Sequence, residues 1–429
     1  MNWCSTRMWR SIFGNFGIRV LSALLNLGLV ILFSQLTGAI GKGEQSLLLT
    51  SIAILTIFDS LVGGAALVYL SSRFSWLGLL GASYIWIVVI SCSAFVTLFM
   101  LDVFTLNYLF HVVMLSALSA TSAVHASLLL GQQRLKMYNL ITISIPLLTF
   151  LTCMAQWFLF NQLNYQVALY VAFACSLIIS IVGVLRFFPA TQTMGHSWLS
   201  IWKNMFTLGF YNQLAHVTQL LSFRASYYIL EQYKGEAAVG VFSNASSITE
   251  SIWLIATSIS LWQYAVISNA QDQKYTIQLT EKLTRFGMLA ALVAVVFFLL
   301  LPPTFYQLVF GPDFGSLQSL MWFLAPGVWV FTYALVVGHY FSGHGRYVVN
   351  AAASGVGLVL SLSISWLLIP QLGALGAAIA ASLSYLATSL VVLYYFLKDG
   401  ASFSLFPSRA ELKQLFTQMR MILRKSSYE

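Results

Sequence analysis

Four ionisable side chains lie inside long apolar stretches of this 429-residue sequence: Arg19, Asp59, Arg224 and Glu250. A charge in hydrocarbon costs about 2.5 kcal/mol or more, so each side chain should face a protein interior or a water-filled cavity. A guanidinium group can hold phosphate oxygens through two parallel hydrogen bonds. We therefore expect Arg19 and Arg224 to bind an anionic ligand, and Asp59 and Glu250 to bind a coupling cation, a proton or a sodium ion.

Depth along the membrane offers a second interpretation of the same four charges. Arg19 lies at a depth similar to that of Asp59, and Arg224 at a depth similar to that of Glu250. Two local salt bridges would then explain all four residues without any ligand. The sequence leaves both interpretations open.

Polar residues accompany these charges on the same helix faces, since residues three or four apart share a face. They extend the candidate substrate-binding site by four residues: Asn15, Asn26, Gln213 and His216. Lipid cannot satisfy such polar stripes, so these helices should line a cavity or the interface between two halves.

Composition defines the elements that carry these stripes. Charged residues are 8% of the chain and hydrophobic residues 59%, whereas soluble domains contain about 25% charged residues. Hydropathy predicts an all-α polytopic membrane protein with about twelve transmembrane helices. We expect six of them in residues 1–203, six in residues 204–397, and a cytoplasmic tail in residues 398–429.

The distribution of lysine and arginine predicts the orientation. Most of them fall on the side of the two termini, and only Lys42 and Lys234 lie in loops on the other side. This bias predicts that both termini are cytoplasmic. The cations are dispersed over many loops, which argues against nucleic-acid binding. The tail reads as a basic amphipathic helix beginning near Ser408, which should lie on anionic membrane lipids.

A short internal repeat suggests that the chain is doubled. Lys42-Gly43-Glu44 recurs as Lys234-Gly235-Glu236, and each copy precedes a span that carries one acid. We therefore expect two parallel halves in which Asp59 and Glu250 are equivalent. Catalytic motifs of the HExxH, GxSxG, Walker A or CxxC type do not occur in the sequence, so we expect no enzyme, no cofactor and no metal.

Three segments carry a resemblance to a known family. They are Gly14-Asn15-Phe16 with the hairpin at 38–45, the stretch from Lys234 to Ile259, and the small-residue hairpin from Leu372 to Tyr385. In these segments the chain resembles the lipid-linked oligosaccharide flippases of the MATE-like MOP exporter superfamily, which transport O-antigen and polysaccharide units.

The resemblance implies two six-helix lobes around a central, cation-lined cavity in the bacterial inner membrane. The implied substrate is a polyprenyl-pyrophosphate-linked oligosaccharide, flipped by alternating access for the synthesis of surface polysaccharide such as lipopolysaccharide. Arg19 and Arg224 then fit pyrophosphate or acidic-sugar contacts, and Glu250 fits the acid of the eighth span. Glycan polymerase or assembly proteins are implied as partners.

Other functions compete with this one. A cation-coupled multidrug exporter of the MATE type would favour an acid-lined, arginine-poor cavity, which two intramembrane arginines oppose. A membrane glycan polymerase or ligase would need a catalytic outer loop. A non-transporting scaffold for glycan assembly is the third alternative.

Overall fold

The computed structural model describes residues 3–71, 73–102, 104–188, 197–267, 270 and 272–407. Within those ranges, the description covers only the backbone of residues 3–16, 19, 20, 65, 208, 211, 212, 255, 261, 262 and 265. The predicted tail helix lies outside the described residues and stays a prediction. Throughout the part of the chain that is described, all regular secondary structure is helical.

The helices follow one another through short connections. In chain order they are α1 (Trp3–Asp59), α2 (Gly64–Leu70), α3 (Trp76–Met100), α4 (Leu106–Gly131), α5 (Leu135–Phe160), α6 (Tyr165–Phe187), α7 (Trp198–Ile267), α8 (Gln273–Leu300), α9 (Pro303–Phe310), α10 (Leu317–Gly343), α11 (Tyr347–Leu372) and α12 (Ala374–Lys398). Two short 3₁₀ turns, Ser60–Val62 and Pro312–Phe314, precede α2 and α10.

The two longest helices each consist of two segments that meet at a glycine. Gly38 in α1 has a φ of 68°, and Gly235 in α7 has a φ of 77°. Only glycine adopts this left-handed conformation without steric cost, so the chain can reverse there. We call the end of the bundle that contains Gly38 and Gly235 the hairpin end, and the opposite end the terminal end.

Length and composition make the chain a multi-pass membrane protein. Nine helices among the described residues are long and apolar enough to cross a membrane, with Leu21–Leu70 counted as one. Dividing α1 at Gly38 raises this number to ten, and the two segments of α7 on either side of Gly235, which are not among the nine, bring it to twelve, as the sequence predicted. The boundary predicted at 203/204 falls inside α7, and the division into two lobes stays a prediction.

Polar side chains satisfy the backbone where the helices are irregular. Asp313, in the turn before α10, accepts a hydrogen bond from the Ala39 N–H at 3.0 Å, directly after the reversal at Gly38. The Gln35 side chain donates to the Leu308 carbonyl of α9 at 2.7 Å. Asp313, which is distant in sequence, therefore caps the start of the second segment of α1.

The parts of α1 and α7 next to the reversals cross with their backbones in contact. A Cβ atom on Gly43 would lie 2.0 Å from the Glu236 carbonyl oxygen, and one on Gly240 would lie 1.9 Å from that of Ala39. The Ser46 and Ser243 hydroxyl oxygens are 2.8 Å apart, and these serines are 197 residues apart in the chain. The same separation relates Ala39 to Glu236 and Gly43 to Gly240, so the crossing has local two-fold symmetry.

This symmetry corrects the internal repeat predicted from the sequence. The repeat aligned Gly43 with Gly235, but the reversals and the crossing align Gly38 with Gly235. Asp59 then corresponds to Ala256, so the predicted equivalence of the two acids is wrong. The repeated triplet pairs Gly43, a glycine of the crossing, with Gly235, the glycine of a reversal, so its two copies have different structural roles.

We predict that Gly43→Ala and Gly240→Ala each destabilise the protein by about 1–3 kcal/mol, because the added methyl group overlaps a backbone carbonyl. Gly355→Ala in α11 is the matched control, since its Cβ would have no atom within 4 Å and alanine favours a helix. Thermal unfolding in detergent measures the effect. Equal melting temperatures for all three variants would contradict the close crossing.

Candidate functional site

Arg224 and Glu250 form an ion pair across the reversal in α7. Arg224 Nη1 lies 2.6 Å from Glu250 Oε1, and Arg224 Nη2 donates to Glu250 Oε2 at 2.8 Å. Nη1 also donates to the Tyr227 hydroxyl at 3.0 Å. The reversal at Gly235 brings the two segments of α7 side by side, which places both side chains at the same level.

The pair retains access to solvent. The Arg224 and Glu250 side chains are 22% and 29% exposed, so they are neither in a sealed core nor on an open surface. Both terminal nitrogens of the guanidinium group are engaged, and an incoming anion would have to replace the carboxylate or share the group with it. The geometry thus allows a resting salt bridge that a phosphate could open.

The first-half residues of the predicted site are only partly described. The side chains of Asn15 and Arg19 lie outside the described residues, so an Arg19–Asp59 pair stays a prediction. Asp59 is 2% exposed, and neither of its carboxylate oxygens has a hydrogen-bond partner among the described side chains. Asn26 is exposed on α1.

Gln213 lies in a second contact between the halves, at the terminal end. Its Nε2 donates to the Ser60 carbonyl at 2.9 Å, and the side chain is buried. One turn earlier, a Cβ on Gly209 would lie 2.0 Å from the Leu61 carbonyl oxygen. Gln213 therefore holds α7 against the 3₁₀ turn after α1. A ligand that bound to Gln213 would have to break its hydrogen bond to Ser60.

Two of the predicted residues, Gln213 and His216, line the same cavity, and His216 has the more open position. It is exposed and lines two adjoining cavities of about 300 and 170 Å³, both of which also contain Gln219. The larger cavity is bounded on the α1 side by Thr56 and Ser60. The smaller one reaches polar side chains of α10 and α11: His339, Ser342, Tyr347 and Asn350.

Several polar residues of this region were not predicted. Gln219 lies off the face shared by Gln213 and Arg224, and His339 was not predicted either. Asn350 shares a face of α11 with Ser354 and Ser361, a polar stripe that could have indicated it. Lys42, expected in an exposed loop, is 3% exposed, and its Nζ donates to Gln45 Oε1 at 2.8 Å. Its burial depends on the crossing with α7, which no local pattern indicates.

Comparison with known sequences gives one partial relative. No protein-family model matches the chain. Over 173 residues the chain is 28% identical to the capsular polysaccharide biosynthesis protein CapF of Staphylococcus aureus. The match covers 40% of this chain and 43% of CapF, so it spans less than half the length of that relative.

Solved structures define the class of fold. A multidrug resistance MATE family transporter of the MOP superfamily, in an inward-facing conformation, superposes with a TM-score of 0.67 at 14% identity over 88% of this chain and 94% of its own. The lipid II flippase MurJ, in an inward closed conformation, gives 0.69 at 12% identity over 90% and 89%. A MOP superfamily transporter from Pyrococcus furiosus gives 0.61 at 14% identity over 92% and 95%.

The chain therefore has the fold of the MOP superfamily transporters. The fold class predicted from the sequence, an all-α polytopic membrane protein of the MATE and MOP type, is confirmed. The same structures confirm, at the level of the fold, the resemblance to the MOP superfamily that the sequence indicated.

We predict that Glu250→Gln destabilises the protein by about 1–3 kcal/mol, because it leaves a partly buried guanidinium group without a counter-ion. The comparison variant is Arg346→Ala, which breaks a pair with Asp399 whose arginine is 42% exposed; an exposed pair contributes at most about 1 kcal/mol. Thermal unfolding compares the two. A smaller loss of thermal stability for Glu250→Gln than for Arg346→Ala would contradict this prediction.

Proposed function

We propose that this protein flips polyprenyl-pyrophosphate-linked oligosaccharide units across the bacterial inner membrane by alternating access, for the synthesis of surface polysaccharide. The observation that carries the proposal is the solvent-accessible Arg224–Glu250 pair on α7 of a MOP-type fold. The partial match to a capsular polysaccharide biosynthesis protein supports the substrate class. We also propose that both termini are cytoplasmic, as the charge bias predicts, and that the protein has no enzymatic activity.

Arg224 contacts the pyrophosphate in this proposal. Glu250 presents two carboxylate oxygens to the guanidinium group. A phosphate group can present two anionic oxygens to the guanidinium group in the same way. His216 and Gln219 border the adjoining cavities and offer hydrogen bonds to sugar hydroxyls. Arg19 fits a second phosphate contact, as the sequence predicts.

The two contacts between the halves serve as gates. At the hairpin end, α1 and α7 touch through Gly43, Gly240 and the Ser46–Ser243 pair. At the terminal end they touch through Gly209 and Gln213. Alternating access requires that each contact opens while the other stays closed, so that the headgroup reaches the cavity from one side at a time.

Asp59 and Glu250 supply the ion coupling. A carboxylate that is 2% exposed and lacks a hydrogen-bond partner among the described side chains is costly to keep charged, so Asp59 should bind a proton or a cation during the cycle. Glu250 needs a new partner whenever the substrate takes Arg224.

We predict that Arg224→Ala reduces export of surface glycan at least tenfold at matched protein abundance, because the pyrophosphate loses its guanidinium contact. Arg224→Lys should retain only part of the activity, since an ammonium group cannot bind both oxygens in parallel. Arg346→Ala is the control. Surface glycan is quantified in cells that depend on this protein, and normal export by Arg224→Ala would remove the residue from the substrate site.

We predict that a disulfide between Ser46→Cys and Ser243→Cys blocks transport, because it locks the contact at the hairpin end. The two hydroxyl oxygens are 2.8 Å apart, which permits the bond with little movement. The pair is placed in a background without the four native cysteines. Oxidation should stop export and a reductant should restore it, whereas Ser46→Cys alone should be insensitive. Continued export with the bond formed would show that this contact does not open.

A further inference from the structure

A separate cavity of about 640 Å³ opens at the hairpin end. It is bounded by the hairpin-end portions of α1, α4, α6 and α7, and neither Arg224 nor His216 lines it. Its walls combine aromatic rings, side-chain amides and carboxylates. The proposed function makes no use of this cavity. The side chains that line the cavity differ in chemistry from the site at Arg224.

One wall is an aromatic surface whose rings contact one another. The Phe104 and Tyr108 ring centroids are 5.0 Å apart, and those of Phe104 and Tyr228 are 6.5 Å apart. The Tyr228 hydroxyl lies 2.7 Å from Ser51 Oγ. The hydrogen bond and the ring contacts position this wall before a ligand arrives.

The lining also carries three carboxylates: Glu44, Glu231 and Glu236. Within the described residues, none of them forms an ion pair or a hydrogen bond. Burial, together with the negative charges of Glu44 and Glu231, raises the pKa of Glu236. The three groups therefore repel one another, and a positive charge placed among them would relieve that repulsion.

We propose that this cavity binds a ligand that carries a positively charged amine. The faces of aromatic rings attract cations, and carboxylates attract the same charge, so both groups of side chains select one chemistry. A phosphate group is repelled here, which separates this cavity from the site at Arg224. The amine can belong to an amino sugar or to a free organic cation, and the two are distinguishable by experiment.

Calorimetric titration of the purified full chain in a neutral detergent tests the proposal with three probes. They are tetramethylammonium, which has the charge alone, glucosamine, which has the charge on a sugar, and N-acetylglucosamine, which has the sugar without the charge. We expect glucosamine to bind at least tenfold more tightly than N-acetylglucosamine. Binding of tetramethylammonium as tight as that of glucosamine identifies a site for organic cations, and weaker binding identifies a site for amino sugars.

Variants connect the binding to this cavity. Glu231→Gln with Glu236→Gln should weaken glucosamine binding at least tenfold. Asp272→Asn is the matched control, because it removes a carboxylate at the terminal end while an asparagine can still accept from the Lys274 N–H. Tyr108→Leu should weaken binding, and Tyr108→Phe, which keeps the ring, should retain most of it.

Two outcomes overturn the proposal. One is equal binding of glucosamine and N-acetylglucosamine, or no binding of either cation. The other is unchanged affinity in the double glutamate variant when circular dichroism shows that it is folded. Because the assay measures binding without transport, neither outcome affects the proposed flippase function.

Discussion

The close backbone contact between α1 and α7 determines the positions of the other features. Two helices can approach until a carbonyl oxygen of one lies where a side chain of the other would be only if glycine occupies that point, as Gly43 and Gly240 do. The reversals at Gly38 and Gly235 aim the helices at this contact. Lys42 is buried because it adjoins the crossing, and Arg224 meets Glu250 because Gly235 folds α7 back on itself.

Small polar side chains stabilise this contact where larger ones would not fit. The Asn244 amide donates to Ser34 Oγ at 2.7 Å, and the Ser46 and Ser243 hydroxyl oxygens are 2.8 Å apart. In a membrane there is little hydrophobic driving force between helices, so close packing and such hydrogen bonds hold them together. Each bond is weak enough, at about 1 kcal/mol, that a conformational change could exchange several of them.

The sequence predicted the features that depend on local pattern. Apolar runs separated by short polar loops gave about twelve spans, and the charges on α7 were predicted to be at one depth, where the structure places Arg224 and Glu250 together. The long-range features were not predictable in this way. The burial of Lys42, the alignment of Gly38 with Gly235 and the approach of His339 to the cavity beside His216 all depend on which helices become neighbours. A triplet repeat resembled the true symmetry but had the wrong register.

Charge balance links substrate binding to ion coupling in the proposed function. At rest the Arg224–Glu250 pair is neutral, so the two side chains can lie in the membrane without a net charge. When pyrophosphate takes the guanidinium group, the Glu250 carboxylate is left in a region that is only partly hydrated, where an unpaired charge costs several kcal/mol. A proton or a cation removes that cost, and its release allows the carboxylate to compete for Arg224 again and expel the substrate. In the proposed function, two residues on either side of the reversal in α7 thus make ion binding and substrate binding depend on each other.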